Sequence, residues 1–239
     1  MLLVNDPGAA LALAQEILEK PLMANHSYGL WGYSGRSIAG TELTVQSIGI
    51  GGPSAATVVA ELAAHGARRA IRVGDAVALD PALATGDLVL GARALAEDGV
   101  SRALGVEAPR ADPALSAALA QALGGRAEAV TVAGADLFHD PAAAARRAAW
   151  RQAGAAVADL ETAAVLALGM RLAMPLACAL VITETAAGEH DEGAAELALS
   201  GLATAAAQAF GAIAASGAQA SEPETEPLAA PSRWESAAS

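Results

Sequence analysis

Gly49-Ile50-Gly51-Gly52-Pro53-Ser54 falls between a strand-like run and a helix-like run. Glycines there allow positive φ and a close backbone approach to a ligand, and a helix N-terminus favours an anion. The run is not GxGxxG and carries no P-loop lysine, so a ligand loop and a tight structural turn fit it equally. Arg72 sits in Arg69-Ala70-Ile71-Arg72-Val73-Gly74-Asp75, inside an otherwise apolar strand. A charge in such a place is costly unless paired. Arg72 therefore grips an anion or pairs with a carboxylate, and Asp75, three residues on, is the obvious candidate partner.

Asp159-Leu160-Glu161 follows a strand and opens a helix. Carboxylates at that position cap the helix dipole, and Glu161 can also accept hydrogen bonds from a sugar diol. Glu184, in Thr183-Glu184-Thr185, ends the most apolar strand, either as an acid or as the first solvated residue. Phe138 is one of two phenylalanines, a core residue or a stacking platform for a base. The four histidines, His26, His65, His139 and His190, show no metal spacing and read as surface or loop residues. No nucleophile elbow accompanies the serines.

An alternation of strands and helices must position these groups. Strands are expected at 2–4, 42–50, 69–73, 87–95, 128–133, 157–160 and 176–183. Helices are expected at 9–19, 53–65, 112–123, 141–152, 161–172 and 192–215. Such alternation argues for one α/β domain with helices on both faces of a sheet. Ligands in these sheets bind at the carboxyl ends of strands. The loops to watch are Asn5–Ala9, Gly49–Ser54, Gly74–Ala76, Leu160-Glu161 and Thr183–Thr185.

Hydrophobic residues fill 54% of the 239 positions, enough for a full core, which excludes general disorder. A net charge of −12 leaves little room for a nucleic-acid footprint. The single cysteine, Cys178, excludes an internal disulfide and a cysteine zinc cluster. No signal-like opening and no uninterrupted apolar window of membrane-spanning length are present, so a cytoplasmic protein without membrane partners is expected. Residues 1–215 form the expected domain. Residues 216–239, acidic and containing three prolines, read as a disordered tail.

Seven segments in order resemble the bacterial nucleoside phosphorylase family, which includes purine nucleoside and uridine phosphorylases. They are Asn5-Asp6-Pro7, Gly29–Gly35, Gly49–Ser54, Ile71–Gly74, Gly86–Val89, Ala135–Phe138 and Asp159–Ala164. The resemblance spans about residues 1–212. It implies a three-layer α/β/α sandwich with a mixed central sheet, assembled as a homo-oligomer (dimer, trimer or hexamer). It also implies pentosyl transfer from a nucleoside to phosphate, with no cofactor beyond that co-substrate and no metal. By position, Glu161 matches the ribose-binding glutamate and Leu160 a methionine lining the sugar. Phe138 matches an aromatic packed on the base in the purine branch, and Gly51 joins them at the substrate site. Arg72 matches a phosphate-binding arginine, and Glu184 an aspartate that protonates the base.

Three departures touch the phosphate site. Ala9 stands at one phosphate arginine, Tyr28 at an arginine lent by the neighbouring subunit, and Asp75 at a Ser or Thr donor. At about 4 Å and an effective dielectric near 20, one unit-charge repulsion costs about 4 kcal/mol. Three readings follow: a purine nucleoside phosphorylase with an altered phosphate site, a phosphate-independent nucleosidase, and a non-catalytic nucleoside-binding protein. In the last, Asp75 pairs with Arg72 and Tyr28 fills the vacated space.

Overall fold

The computed structural model describes residues 1–217. The apolar run Leu2–Val4 forms β1 and leads into α1 (Pro7–Ile17). Asp6 caps this helix by accepting the Ala9 N–H at 2.8 Å, and Pro7 opens it with its fixed φ. Two strands follow that the periodicity does not anticipate, β2 (Leu18–Asn25) and β3 (Gly32–Ser37). β2 is the edge of the sheet, largely exposed and containing Pro21. An edge strand needs no buried alternation, so its pattern is weak.

The remaining elements lie close to their expected positions. They are β4 (Glu42–Ser47), α2 (Gly52–Ala64), β5 (Ala70–Ala78) and β6 (Leu88–Leu95). Next come α3 (Gly99–Ala103), α4 (Pro113–Ala122), β7 (Glu128–Gly134) and α5 (Ala143–Gln152). The chain continues through β8 (Val157–Asp159), α6 (Thr162–Arg171), β9 (Leu176–Glu184) and α7 (Glu192–Gly217). β5 does not stop at Gly74, as the sequence suggests. It continues because β9 pairs with it from Ala70 to Val77, holding Gly74 and Asp75 in the ladder. The short α3 is also new. α7 ends at Gly217, two residues past the expected domain boundary, and the expected tail from 218 lies outside the described residues.

The strands form one mixed sheet in the order β2-β3-β4-β1-β5-β8-β7-β6-β9, and β9 returns to pair with β5. Five strands therefore close into a ring (β5-β8-β7-β6-β9), and β1 to β4 extend from it as an open wing. Helices α1, α4 and α7 cover one face through Leu13, Leu115, Leu119 and Phe210. Helices α2 and α6 cover the other through Val59, Val165 and Leu166. This is the three-layer mixed α/β arrangement expected. Fully burying each such side chain contributes about 1.5–3 kcal/mol. Within α7, Glu196–Ser216 is long and apolar enough to cross a membrane by length and composition. Here Leu202, Ala203, Ala206, Ala207 and Phe210 of that stretch are buried in the core.

β8 runs antiparallel to β5, with Ala158 opposite Val77 and Val157 opposite Ala78. The chain leaving β8 therefore steps back along β5. That reversal places Asp159, Glu161 and Thr162 beside Arg72.

Candidate active site

Arg72 is the largest fully buried side chain, with no exposure. Its Nη1 lies 2.9 Å from Asp159 Oδ2 and donates to Thr162 Oγ1 at 3.1 Å and Cys178 Sγ at 3.7 Å. Its Nη2 donates to Glu161 Oε2 at 2.7 Å and to Asn5 Oδ1 at 3.3 Å. Five acceptors thus surround the four Nη hydrogens; only Nε lacks a partner. The guanidinium lies over the backbone of Gly74, where a Cβ would come within 2.9–3.1 Å of it. Glycine at 74 thus makes room for the arginine.

Asp75 is not the partner of Arg72. Side chains alternate along a strand, so residues three apart face opposite sides. Asp75 is instead exposed, lines the cavity described below, and forms no ion pair among the described residues. The partners are Asp159 and Glu161, about ninety residues away. Burial alone would lower the Arg72 pKa, but these two carboxylates hold it above its ordinary value. Burial, reinforced by the Glu161 charge, pushes Asp159 up to about 6 against the opposing pull of Arg72 and of the Thr162 donors. Thr162 donates to Asp159 through both Oγ1 (2.6 Å) and its backbone N–H (3.1 Å). Burial also raises the Cys178 thiol.

Glu161 closes this cluster toward the glycine loop. Its Oε1 accepts the Gly51 N–H at 2.7 Å, and its Oε2 accepts Asn5 Nδ2 at 3.2 Å besides Arg72. Gly51 has φ +85°, which orients that N–H inward. Gly51 therefore braces Glu161 and does not itself line the cavity, whose wall here is Gly49 and Ile50. Oε1 keeps lone-pair capacity for one more donor, such as a sugar hydroxyl.

Above the cluster opens a cavity of about 910 Å³ at the ends of β1, β4, β5, β8 and β9. Leu160, Phe138 and Glu184 are among the residues that line it. Phe138 is 75% exposed and meets His139 edge-on at 4.9 Å, so its ring is open to the cavity and it is not a core residue. The lining carries six carboxylates: Asp6, Asp75, Asp140, Asp159, Glu161 and Glu184. Against them stands one guanidinium, Arg147.

Arg147, on α5, is a site residue that sequence reasoning missed. Its Nη1 lies 2.7 Å from Glu184 Oε1. The neighbouring Arg146 is held by Asp140, Nε to Oδ2 at 2.6 Å. No local spacing links residues 147 and 184; only the approach of α5 to the end of β9 does so. Two other expectations change. Ala9 offers the α1 cap only its backbone N–H. Tyr28, at φ +57°, is 99% exposed and does not line the cavity, so within this chain it fills no vacated space.

No cluster of three or more His, Cys, Asp or Glu among the described residues is placed to hold a metal. The arrangement can instead bind a neutral polyol through Glu161, stack a flat ring on Phe138, and present Asp75 to a small polar molecule.

The phosphorylase superfamily matches residues 1–216. The chain is 30% identical over 191 residues to a DeoD-type purine nucleoside phosphorylase of Clostridium perfringens, covering 77% of this chain and 80% of that protein. It is 40% identical over 105 residues to a uridine phosphorylase of Thermococcus kodakarensis, but spans 42% of this chain and only 38% of that protein. A guanosine phosphorylase of Halorubrum lacusprofundi is 36% identical over 99 residues, 41% of this chain and 40% of its own length.

Proposed function

Because the chain belongs to the phosphorylase superfamily, whose nucleoside phosphorylases need no cofactor beyond phosphate as co-substrate, we propose that it cleaves the N-glycosidic bond of a purine nucleoside with water in place of phosphate. One observation carries this reading. The single arginine retained at the phosphate position has every Nη hydrogen engaged by internal acceptors. A phosphate dianion reaching Arg72 would have to displace Asp159 or Glu161, and one held in the cavity would meet Asp75 in its lining. Each such approach at about 4 Å costs about 4 kcal/mol at an effective dielectric near 20. Water pays no such cost.

In this reading the ribose diol reaches Glu161 and the base lies on Phe138. A water molecule beside Asp75 attacks C1′ as the C1′–N bond breaks. The electron pair leaves with the base, the water proton passes to Asp75, and the base takes a proton from solvent. The products are a free base and a free pentose. A carboxylate stabilises an oxocarbenium-like sugar where it would repel an attacking anion.

Inosine, guanosine, adenosine and uridine, incubated with and without phosphate, test the proposal. Base release should be indifferent to phosphate and accompanied by reducing sugar, and Asp75→Asn should lower it about 100-fold or more, as loss of a general base does. Release proportional to phosphate, yielding a pentose 1-phosphate, would establish phosphorolysis, the reading favoured by the names of the relatives. Binding without release would make the chain a nucleoside-binding protein. Assembly as a homo-oligomer belongs to the same proposal and is read by sedimentation.

A further inference from the structure

Glu184 occupies the place of an acid that protonates the departing base, yet its Oε1 is taken up by Arg147 at 2.7 Å. As one half of an ion pair, a carboxylate accepts hydrogen bonds and does not give them. The group with donors to spare is Arg147. It carries five N–H donors in a planar fork, and Glu184 is its only hydrogen-bond or ion-pair partner among the described residues. Both residues line the cavity that holds Phe138, and both are partly open to it, with side chains 38% and 31% exposed.

We propose that Arg147, positioned by Glu184, is the residue that recognises the leaving base, and that it selects bases bearing a ring carbonyl, the 6-oxopurines, over aminopurines. This rests on the nucleoside-cleaving reading above. As the C1′–N bond breaks, the bonding pair moves into the base. In a 6-oxopurine that charge delocalises onto a carbonyl oxygen, which a guanidinium stabilises by charge-assisted hydrogen bonds. The base then takes a proton from solvent, so no protonated carboxyl is needed. In an aminopurine the equivalent position carries N–H donors, which oppose those of Arg147. Glu184 acts as a positioning residue: it aims the guanidinium and does not transfer a proton.

The test compares inosine and adenosine by calorimetric binding and by base release, in the wild-type chain, Arg147→Met and Glu184→Gln. Arg147 lies at the cavity rim, so its replacement leaves the core untouched. The expected wild-type preference for inosine is about tenfold or more, the scale of one charge-assisted hydrogen bond. Arg147→Met should bring the inosine-to-adenosine ratio to about one. Glu184→Gln, whose amide oxygen still accepts from Arg147, should keep the preference and more than a tenth of base release. Equal binding of the two nucleosides by the wild type, or an unchanged ratio in Arg147→Met, would overturn the inference and leave the cleavage reading standing. So would abolition of release by Glu184→Gln alone, because that marks Glu184 as the acid. If neither nucleoside binds, the cleavage reading itself falls.

Discussion

Two arginine–carboxylate contacts of the same length frame the cavity, and they do different things. Arg72 meets Glu161 at 2.7 Å with neither side chain more than 2% exposed. Arg147 meets Glu184 at 2.7 Å with both about a third exposed. In the buried cluster, the Nη donors of Arg72 are all taken up by internal acceptors and only Nε is left over, because unpaired polar groups there are costly. At the rim, solvent satisfies what the pair leaves over, so the guanidinium keeps donors that a ligand can take from water. Sharing an ion-pair geometry does not make two arginines equivalent. Burial decides which arginine has its Nη donors spent internally and which keeps donors open to solvent.

The largest effect that tests this contrast is the loss of Arg72. Arg72→Met would leave Asp159 and Glu161 buried without a compensating cation. Breaking a buried pair in this way costs about 3–5 kcal/mol, a large share of the stability of an ordinary domain. Urea denaturation should show that loss whether or not phosphate is present. A variant of wild-type stability that had lost only phosphate dependence would mean that Arg72 serves an anion, and the contrast between the two arginines would collapse.

An intermediate effect concerns pH. The Asp159 carboxyl is held at about 6, above the ordinary 3.8, chiefly by burial. A folded-state pKa raised above the unfolded one means that the folded chain holds the proton more tightly. The stabilisation from this group is therefore complete below about pH 4 and is lost as pH rises toward and through about 6. Stability measured across that window should carry a downward component that Asp159→Asn removes. An upward slope assigned to Asp159 by the same comparison would show that Arg72 outweighs burial in setting this pKa.

Much of the framework was legible in the sequence. β1, β6, β7, β9 and most helices follow from apolar period, glycine punctuation and caps such as Asp6 and Asp112. β2 was not, because an exposed edge strand with a proline carries no burial pattern, and β3 was not, because its glycines and serines offer no apolar alternation. At the site, the sequence left Arg72 to an anion or a carboxylate and offered Asp75 as the candidate partner, which the structure does not bear out. Proximity along the chain favoured Asp75, whereas strand alternation and the antiparallel return of β8 deliver Asp159 and Glu161. Gly74 held a clue, since a glycine two residues from a buried arginine on the same strand face marks where a guanidinium must lie. Arg147 left no such trace. Its meeting with Glu184 is created only by how α5 packs against the ring of strands.

The smallest effect on stability is expected at Arg147, and its smallness is informative. Partly exposed ion pairs contribute about 0–1 kcal/mol, because solvent screens the charges and long side chains lose entropy on pairing. Arg147→Met should therefore lower the unfolding free energy from urea denaturation by no more than that. Thermal and urea unfolding of this variant, measured beside Arg72→Met, would place the two arginines at opposite ends of one scale. A loss approaching that of Arg72→Met would mean that the rim pair holds α5 to the end of β9. Arg147 would then be scaffold as well, and the spare donors that set it apart would have no ligand to answer to.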